Sequence, residues 1–193
     1  MRIIAGKFRG RRLKSPPGAQ TRPTSDRLRE TLFNILAPRI EGARLLDLCA
    51  GTGAVGLEAL SRGASHVTFV DQSRKMCELI EANLDSFEVA TDDREVVVAT
   101  AFDYLRRLAK NNGPAFDIVF FDPPYASDYD ALLNYGGEQA SQILNGEGIV
   151  IVEHHKKKVL QPQFSALKRY RELKQGDSVI SFYLDGARGS VSA

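Results

Sequence analysis

The sequence predicts an α/β fold: a mostly parallel, seven-stranded sheet with a C-terminal antiparallel pair, preceded by a small basic β-hairpin. Three observations predict it. From Arg44 onward, short apolar runs alternate with stretches of helical periodicity, the pattern of a parallel sheet. The runs are continuously apolar, so both sheet faces are covered. Near the end the pattern changes to two strand-like runs around Gln175-Gly176-Asp177, an antiparallel pair.

The elements follow in order. Arg2 to Ala5 and Arg11 to Lys14 read as short strands around Gly6-Lys7-Phe8-Arg9-Gly10. Ser15-Pro16-Pro17-Gly18 breaks regular structure. Thr24 or Ser25 caps a helix with Leu28, Leu32, Ile35 and Leu36 on one face, Arg27, Arg29 and Glu30 on the other, and Pro38 as its end. Arg44 to Leu48 is a strand, and Ala54 to Arg62 a helix ended by Gly63. His66 to Val70 is a strand, followed by a helix near Arg74 to Leu84 with Met76, Leu79 and Ile80 inward. Val96 to Ala99 is a strand, and the helix from Tyr104 to Lys110 stops at Asn111-Asn112-Gly113. Phe116 to Phe121 is a strand, Tyr129 to Leu144 a helix broken at Gly136-Gly137, and Gly148 to Glu153 a strand. Leu167 to Leu173 and Ser178 to Leu184 complete the sheet. One domain spans 1–193: a basic arm (1–23), a core (24–185) and a disordered tail (186–193).

Composition excludes several classes. The chain is 43% hydrophobic and 26% charged over 193 residues, ordinary for one globular domain. No apolar run is long enough to span a membrane. Met1 to Gly6 lacks the apolar core of a signal peptide. Cys49 and Cys77 form no zinc spacing and no disulfide framework, which points to a reducing cytoplasm. The net charge of +2 hides an asymmetry: residues 1–25 carry +7 with no acid, leaving −5 on the remainder. A basic arm on an acidic body suits a polyanion such as nucleic acid.

Two motifs carry chemistry. The first is the turn Asp47-Leu48-Cys49-Ala50-Gly51-Thr52-Gly53-Ala54-Val55-Gly56, in which Gly51, Gly53 and Gly56 match GxGxxG. A glycine turn between strand and helix lets a ligand approach the backbone. Asp71, followed by Gln72, ends the next strand, where nucleotide sites place an acid on the ribose hydroxyls. Two ligands compete for such a turn. A dinucleotide would set its pyrophosphate beside Asp47 and be repelled, whereas the ammonium and sulfonium of S-adenosylmethionine would be attracted. Asp103 follows the third strand, placed to cap the next helix or to accept an adenine amino group.

The second motif is Asp122-Pro123-Pro124-Tyr125, directly after the apolar run Phe116 to Phe121. Two prolines stiffen the loop and offer carbonyl acceptors, Asp122 adds a charged acceptor, and Tyr125 a stacking face. The set suits holding a planar amino group; the plainer reading is a strand-ending turn.

Asp47 to Gly53, Asp71 and Asp122 to Tyr125 resemble class I methyltransferases of Rossmann-like fold that modify exocyclic amino nitrogens. Arg2-Ile3-Ile4-Ala5-Gly6, Arg9-Gly10-Arg11-Arg12-Leu13 and Thr21 to Glu30 resemble, more narrowly, the RsmD family of bacterial guanine-N2 methyltransferases of small-subunit ribosomal RNA. The likeness runs from Met1 to about Asp185. It implies S-adenosylmethionine held by Asp47, Cys49, Ala50, Gly51, Thr52, Gly53, Asp71, Gln72 and Asp103, and catalysis at Asp122, Pro123, Pro124 and Tyr125. It implies phosphate contacts from Arg9, Arg11, Arg12 and Arg22, with Arg22 and Thr24 near the cofactor carboxylate. The implied partner is ribosomal RNA, the small subunit or an assembling particle, and the enzyme would act as a monomer. Cys49 departs from the family, which commonly has an aromatic or larger apolar residue there; it reads as a small packing residue, not a nucleophile. His154 and His155 read as surface or edge residues, Glu153 as a residue facing the cleft, and Lys156-Lys157-Lys158 as solvated.

Other functions remain open at this level. Amino methylation of adenine or cytosine in DNA uses a similar loop, an NAD-dependent oxidoreductase would use GxGxxG, and an RNA-binding assembly factor could keep a silent methyltransferase fold.

Overall fold

A computed structural model describes residues 1–16, 26–110, 115–124 and 128–186. They form two compact units, Met1–Thr100 and Ala101–Ala193. Thr24 and Ser25, Asn111 to Gly113, and the tail beyond Gly186 lie outside the described residues.

In the first unit, α1 (Asp26–Ile40) precedes β1 (Arg44–Leu48), α2 (Ala54–Ser61), β2 (His66–Asp71), α3 (Arg74–Ser86), a 3-10 turn at Thr91–Asp93 and β3 (Arg94–Val98). The strands are parallel in the order β3-β2-β1, with Leu46 opposite Thr68 and Phe69 opposite Val96. Leu45, Leu46, Val67, Phe69 and Val70 are fully buried, as continuous apolar strands require.

Two expectations for α1 change. Pro38 lies inside the helix, which runs on to Ile40, because proline removes one N–H without displacing the last turn. Arg29 is fully buried rather than on the polar face. Its Nη2 donates to Asp26 Oδ1 at 3.0 Å and to the Arg2 carbonyl at 2.6 Å.

The N-terminal segment is a fold-back, not a pair of strands. A single antiparallel bridge joins Arg2 and Arg12, with Ile3 N donating to Arg11 O. The ladder does not extend because its donors are used elsewhere. Ile4 N and Ala5 N donate to the two carboxylate oxygens of Glu58, at 2.8 and 3.1 Å, and Lys7 N to Ser61 O. Ile3, Phe8 and Leu13 are buried, so the segment is packed rather than a solvated arm. Gly6, at φ 81°, allows the approach: a Cβ there would lie 1.7 Å from Ser61 O.

In the second unit the order is α4 (Ala101–Lys110), β4 (Phe116–Phe121), α5 (Tyr129–Glu138), α6 (Ala140–Ile143), β5 (Leu144–His155), β6 (Gln163–Phe164), β7 (Leu167–Gln175) and β8 (Ser178–Asp185). β4 and β5 are parallel, and β5 pairs antiparallel with β8, β8 with β7, and β7 with β6. The two-residue β6 makes eight described strands, one more than expected, since two residues carry no readable periodicity. The helical break falls at Gln139, not at Gly136-Gly137. Gly137 serves packing instead: a Cβ would lie 2.1 Å from Phe164 O. No described helix is long and apolar enough to cross a membrane.

Candidate active site

In the first unit, the chain leaves β1 through a tight turn into α2. Cys49, Gly51 and Gly53 hold φ of 63°, 55° and 75°. Glycine takes this left-handed region freely, whereas Cys49 carries strain on the order of 1–2 kcal/mol. Gly56 is required for contact, since a Cβ would lie 2.2 Å from the Phe69 ring. Gly53 N donates to Ala50 O at 2.8 Å and Ala50 N to Val70 O at 3.0 Å, closing the turn on β2.

Asp71 holds this turn in place. Its Oδ2 accepts from Gly51 N at 2.9 Å and its Oδ1 from Ser73 N at 2.8 Å. Each oxygen keeps a further lone pair. A Cβ on Gly51 would meet nothing within 4 Å, so the turn has an open face there. Gln72 is exposed. Asp47 is buried, and its Oδ2 accepts from Gly56 N at 3.0 Å. Burial pushes its pKa up to about 7; the Gly56 N–H opposes the rise and the Asp71 charge adds to it. Asp47 is therefore partly protonated at neutral pH. Asp103 lies within the first turn of α4, in the second unit, and not ahead of it as a cap would.

The basic segment is fastened to α2 and α3, which follow the turn and Asp71. Glu58 and Arg29 are both fully buried, with Arg29 Nε 3.8 Å from Glu58 Oε2, and Arg62 Nε donates to Glu58 Oε1 at 2.7 Å. Arg11 stacks 4.5 Å from the Phe87 ring centre and donates to Ser86 O. Arg9 and Arg12 are exposed, while Arg22 lies outside the described residues. Asn83, fully buried on α3, accepts from Lys14 N at 2.8 Å and donates to Lys14 O and Thr52 O. No motif announced it. The readable signal was a polar residue three positions after Ile80, on the apolar stripe of α3.

In the second unit, β4 ends at Phe121 and delivers Asp122 exposed, Pro123 buried and Pro124 exposed. Tyr125 lies outside the described residues. Tyr129, fully buried at the start of α5, donates its hydroxyl to Pro123 O at 3.2 Å and sets its ring 5.9 Å from Phe121. Sequence reasoning placed Tyr129 at a helix start and missed this role. Asp128 caps α5 by accepting from Ala131 N.

His154, Lys156 and Lys158 differ from expectation. His154 is buried, not at the surface, because β5 runs two residues further and pairs with β8; its Nε2 lies 3.0 Å from Ser181 Oγ, and burial lowers its pKa. Glu153 is buried within β5. Lys156 and Lys158 pair with Asp177 and Asp130, at 2.8 and 3.2 Å, rather than being simply solvated.

A glycine turn on a parallel α/β unit, an acid ending the second strand, and Asp-Pro-Pro at the end of β4 together define a protein of the class I methyltransferase fold. The family model described as "Conserved hypothetical protein 95" matches residues 1–184, and the chain belongs to that family, the RsmD family. It is 36% identical over 184 residues to the Bacillus subtilis protein named "Putative rRNA methyltransferase YlbH", covering 95% of this chain and 98% of that one. It is 42% identical over 125 residues to Ribosomal RNA small subunit methyltransferase D of Haemophilus influenzae, covering 65% of this chain and 64% of that protein. Among solved structures, "Putative methyltransferase yhhF" of Escherichia coli matches with a TM-score of 0.83 at 33% identity, covering 96% of this chain and 97% of that one.

Proposed function

We propose that this protein is an S-adenosylmethionine-dependent ribosomal RNA methyltransferase that modifies the exocyclic N2 of a guanine in small-subunit RNA. The observation that carries the cofactor reading is Asp71, oriented by Gly51 N and Ser73 N beside the open face of Gly51. The residues fit a nucleoside: the remaining lone pairs of Asp71 would accept from ribose hydroxyls, and the open face of Gly51 would admit the ligand close to the backbone. Asp47, Cys49, Ala50, Gly51, Thr52, Gly53, Asp71 and Gln72 would hold the ligand, and Asp103 would be the acceptor for its adenine amino group. A buried, partly protonated Asp47 suits a cationic ligand, whose approach favours the carboxylate. S-adenosylmethionine supplies an electrophilic methyl group when bound.

The chain's own residues act on the acceptor. The guanine amine is a weak nucleophile because its lone pair is delocalised into the ring. Asp122 accepts one amine hydrogen, localises that lone pair and takes the proton released by the methylated amine. Pro123 O accepts the other hydrogen through the lone pair that Tyr129 leaves open. Tyr125 stacks on the base, worth roughly 1–3 kcal/mol. Positioning supplies the rest, with roughly 7–11 kcal/mol available from that source. A target inside paired RNA leaves its stack first. Arg9, Arg11, Arg12 and Arg22 contact phosphates around it. Both units serve one catalytic domain, acting as a cytoplasmic monomer on RNA within the small subunit or an assembling particle.

Calorimetry with S-adenosylmethionine and with NAD tests the cofactor reading. The expected result is heat with the first and none with the second. Binding of NAD alone would assign the turn to an oxidoreductase.

A further inference from the structure

We propose that Asn83 is a positioning residue that couples the cofactor turn to the basic N-terminal segment, so that filling the turn tightens the grip on RNA. The inference rests on the functional reading above. One fully buried amide holds both ends of the link: Oδ1 accepts from Lys14 N at 2.8 Å, while Nδ2 donates to Lys14 O at 3.2 Å and to Thr52 O at 3.3 Å. Met1 Sδ, 3.9 Å from Thr52 Oγ1, adds a weaker tie between the same two segments. Removed from water, the amide has no solvent to replace a lost partner. A shift of the Thr52 carbonyl therefore either moves the side chain or breaks a bond, and Lys14 feels either outcome.

The turn is able to shift. Thr52 stands between Gly51 and Gly53, both at positive φ, and Cys49 holds the left-handed region without the freedom of glycine. A ligand lying on the open face of Gly51 touches this strained stretch directly. The receiving end is ordered. Arg11 and Lys14 are held against α3, and Lys7 and Phe8 against α2, so Arg9 and Arg12 are presented by a packed frame. Tightening at Lys14 thus reaches the phosphate-facing side chains instead of being lost in a flexible tail. Coupling of this kind is reciprocal, so RNA tightens the cofactor by the same factor.

The test is a binding cycle with S-adenosylhomocysteine as the probe and a labelled transcript of small-subunit ribosomal RNA. In the native protein, saturating probe should tighten RNA binding by about tenfold, within the usual range of coupling. Asn83→Ala should reduce the factor below twofold while both ligands still bind. Should Asn83→Ala not fold, Asn83→Asp, which keeps the acceptor for Lys14 N and loses both donated bonds, should show the same loss. Hydrogen exchange on the native protein reads the link without substitution: the Lys14 amide should slow when the probe is added. A factor of one in the native protein, an undiminished factor in Asn83→Asp, or unchanged exchange at Lys14 would overturn the coupling. Failure of the probe to bind the native protein would instead overturn the functional reading on which it rests.

Discussion

The two motif regions are held by different means. The glycine turn of the first unit is held by side-chain hydrogen bonds: Gly56 by Asp47 within the same motif, Gly51 by Asp71 at the end of β2, and Thr52 by Asn83 on α3. The loop after β4 in the second unit is held by its covalent structure, two proline rings, with Tyr129 bracing one carbonyl. The first region buries Asp47 and half-buries Asp71, and the second exposes Asp122. A site that keeps one cofactor in a fixed pose benefits from the first construction. A site that must admit a base from a large RNA needs the second.

Removing Asp122 tests the exposed region most severely. Asp122→Ala should lower turnover by about 10²–10⁴-fold, the usual weight of a proton acceptor, with cofactor affinity unchanged. Single-turnover rates and calorimetry separate the two, and unchanged turnover would remove Asp122 from the chemistry. In the first unit, Glu58→Ala removes one of the two acids beside buried Arg29, the partner of Arg62 and the acceptor of two backbone donors. It should cost about 3–5 kcal/mol in denaturant unfolding, far more than a surface pair.

The buried acid also makes the first region sensitive to pH. The raised pKa of Asp47 means that the folded state binds more protons than the unfolded chain between the ordinary carboxylate range and pH 7. Its contribution is complete below that ordinary range and is lost as pH rises through about 7, a change of about 4 kcal/mol at most. Asp47→Asn, which keeps an acceptor for Gly56 N, should flatten this slope between pH 4 and 7. An unaltered slope would place the titration elsewhere. The smallest effect is expected at the brace: Tyr129→Phe removes one hydrogen bond, about 1 kcal/mol, and should slow turnover several-fold without changing cofactor affinity.

How much of this was legible depends on the distance over which each feature is determined. β1 and β4 appear at their expected bounds because continuous apolar runs declare themselves locally. The glycine turn and Asp71 were legible because Gly51 and Gly53 need positive φ, Gly56 has no room for a Cβ, and Asp71 ends a continuous apolar strand. The basic segment was misread as two strands because its donors go to Glu58 and Ser61, more than fifty residues away. Arg29 is buried among Asp26, one turn away, and the Arg2 carbonyl and Glu58, which no pattern around α1 reveals. His154 was placed at the surface because nothing near it in sequence shows that β8 covers it. Asn83 and Tyr129 act through single bonds to backbone carbonyls and leave no motif.

The central claim is that this protein methylates a guanine amine of small-subunit RNA. Mass mapping of that RNA from cells lacking the protein tests it most directly. The account predicts that one N2-methylguanine disappears and returns when the native gene, but not the Asp122→Ala form, is restored. An unchanged set of modified guanines would contradict it.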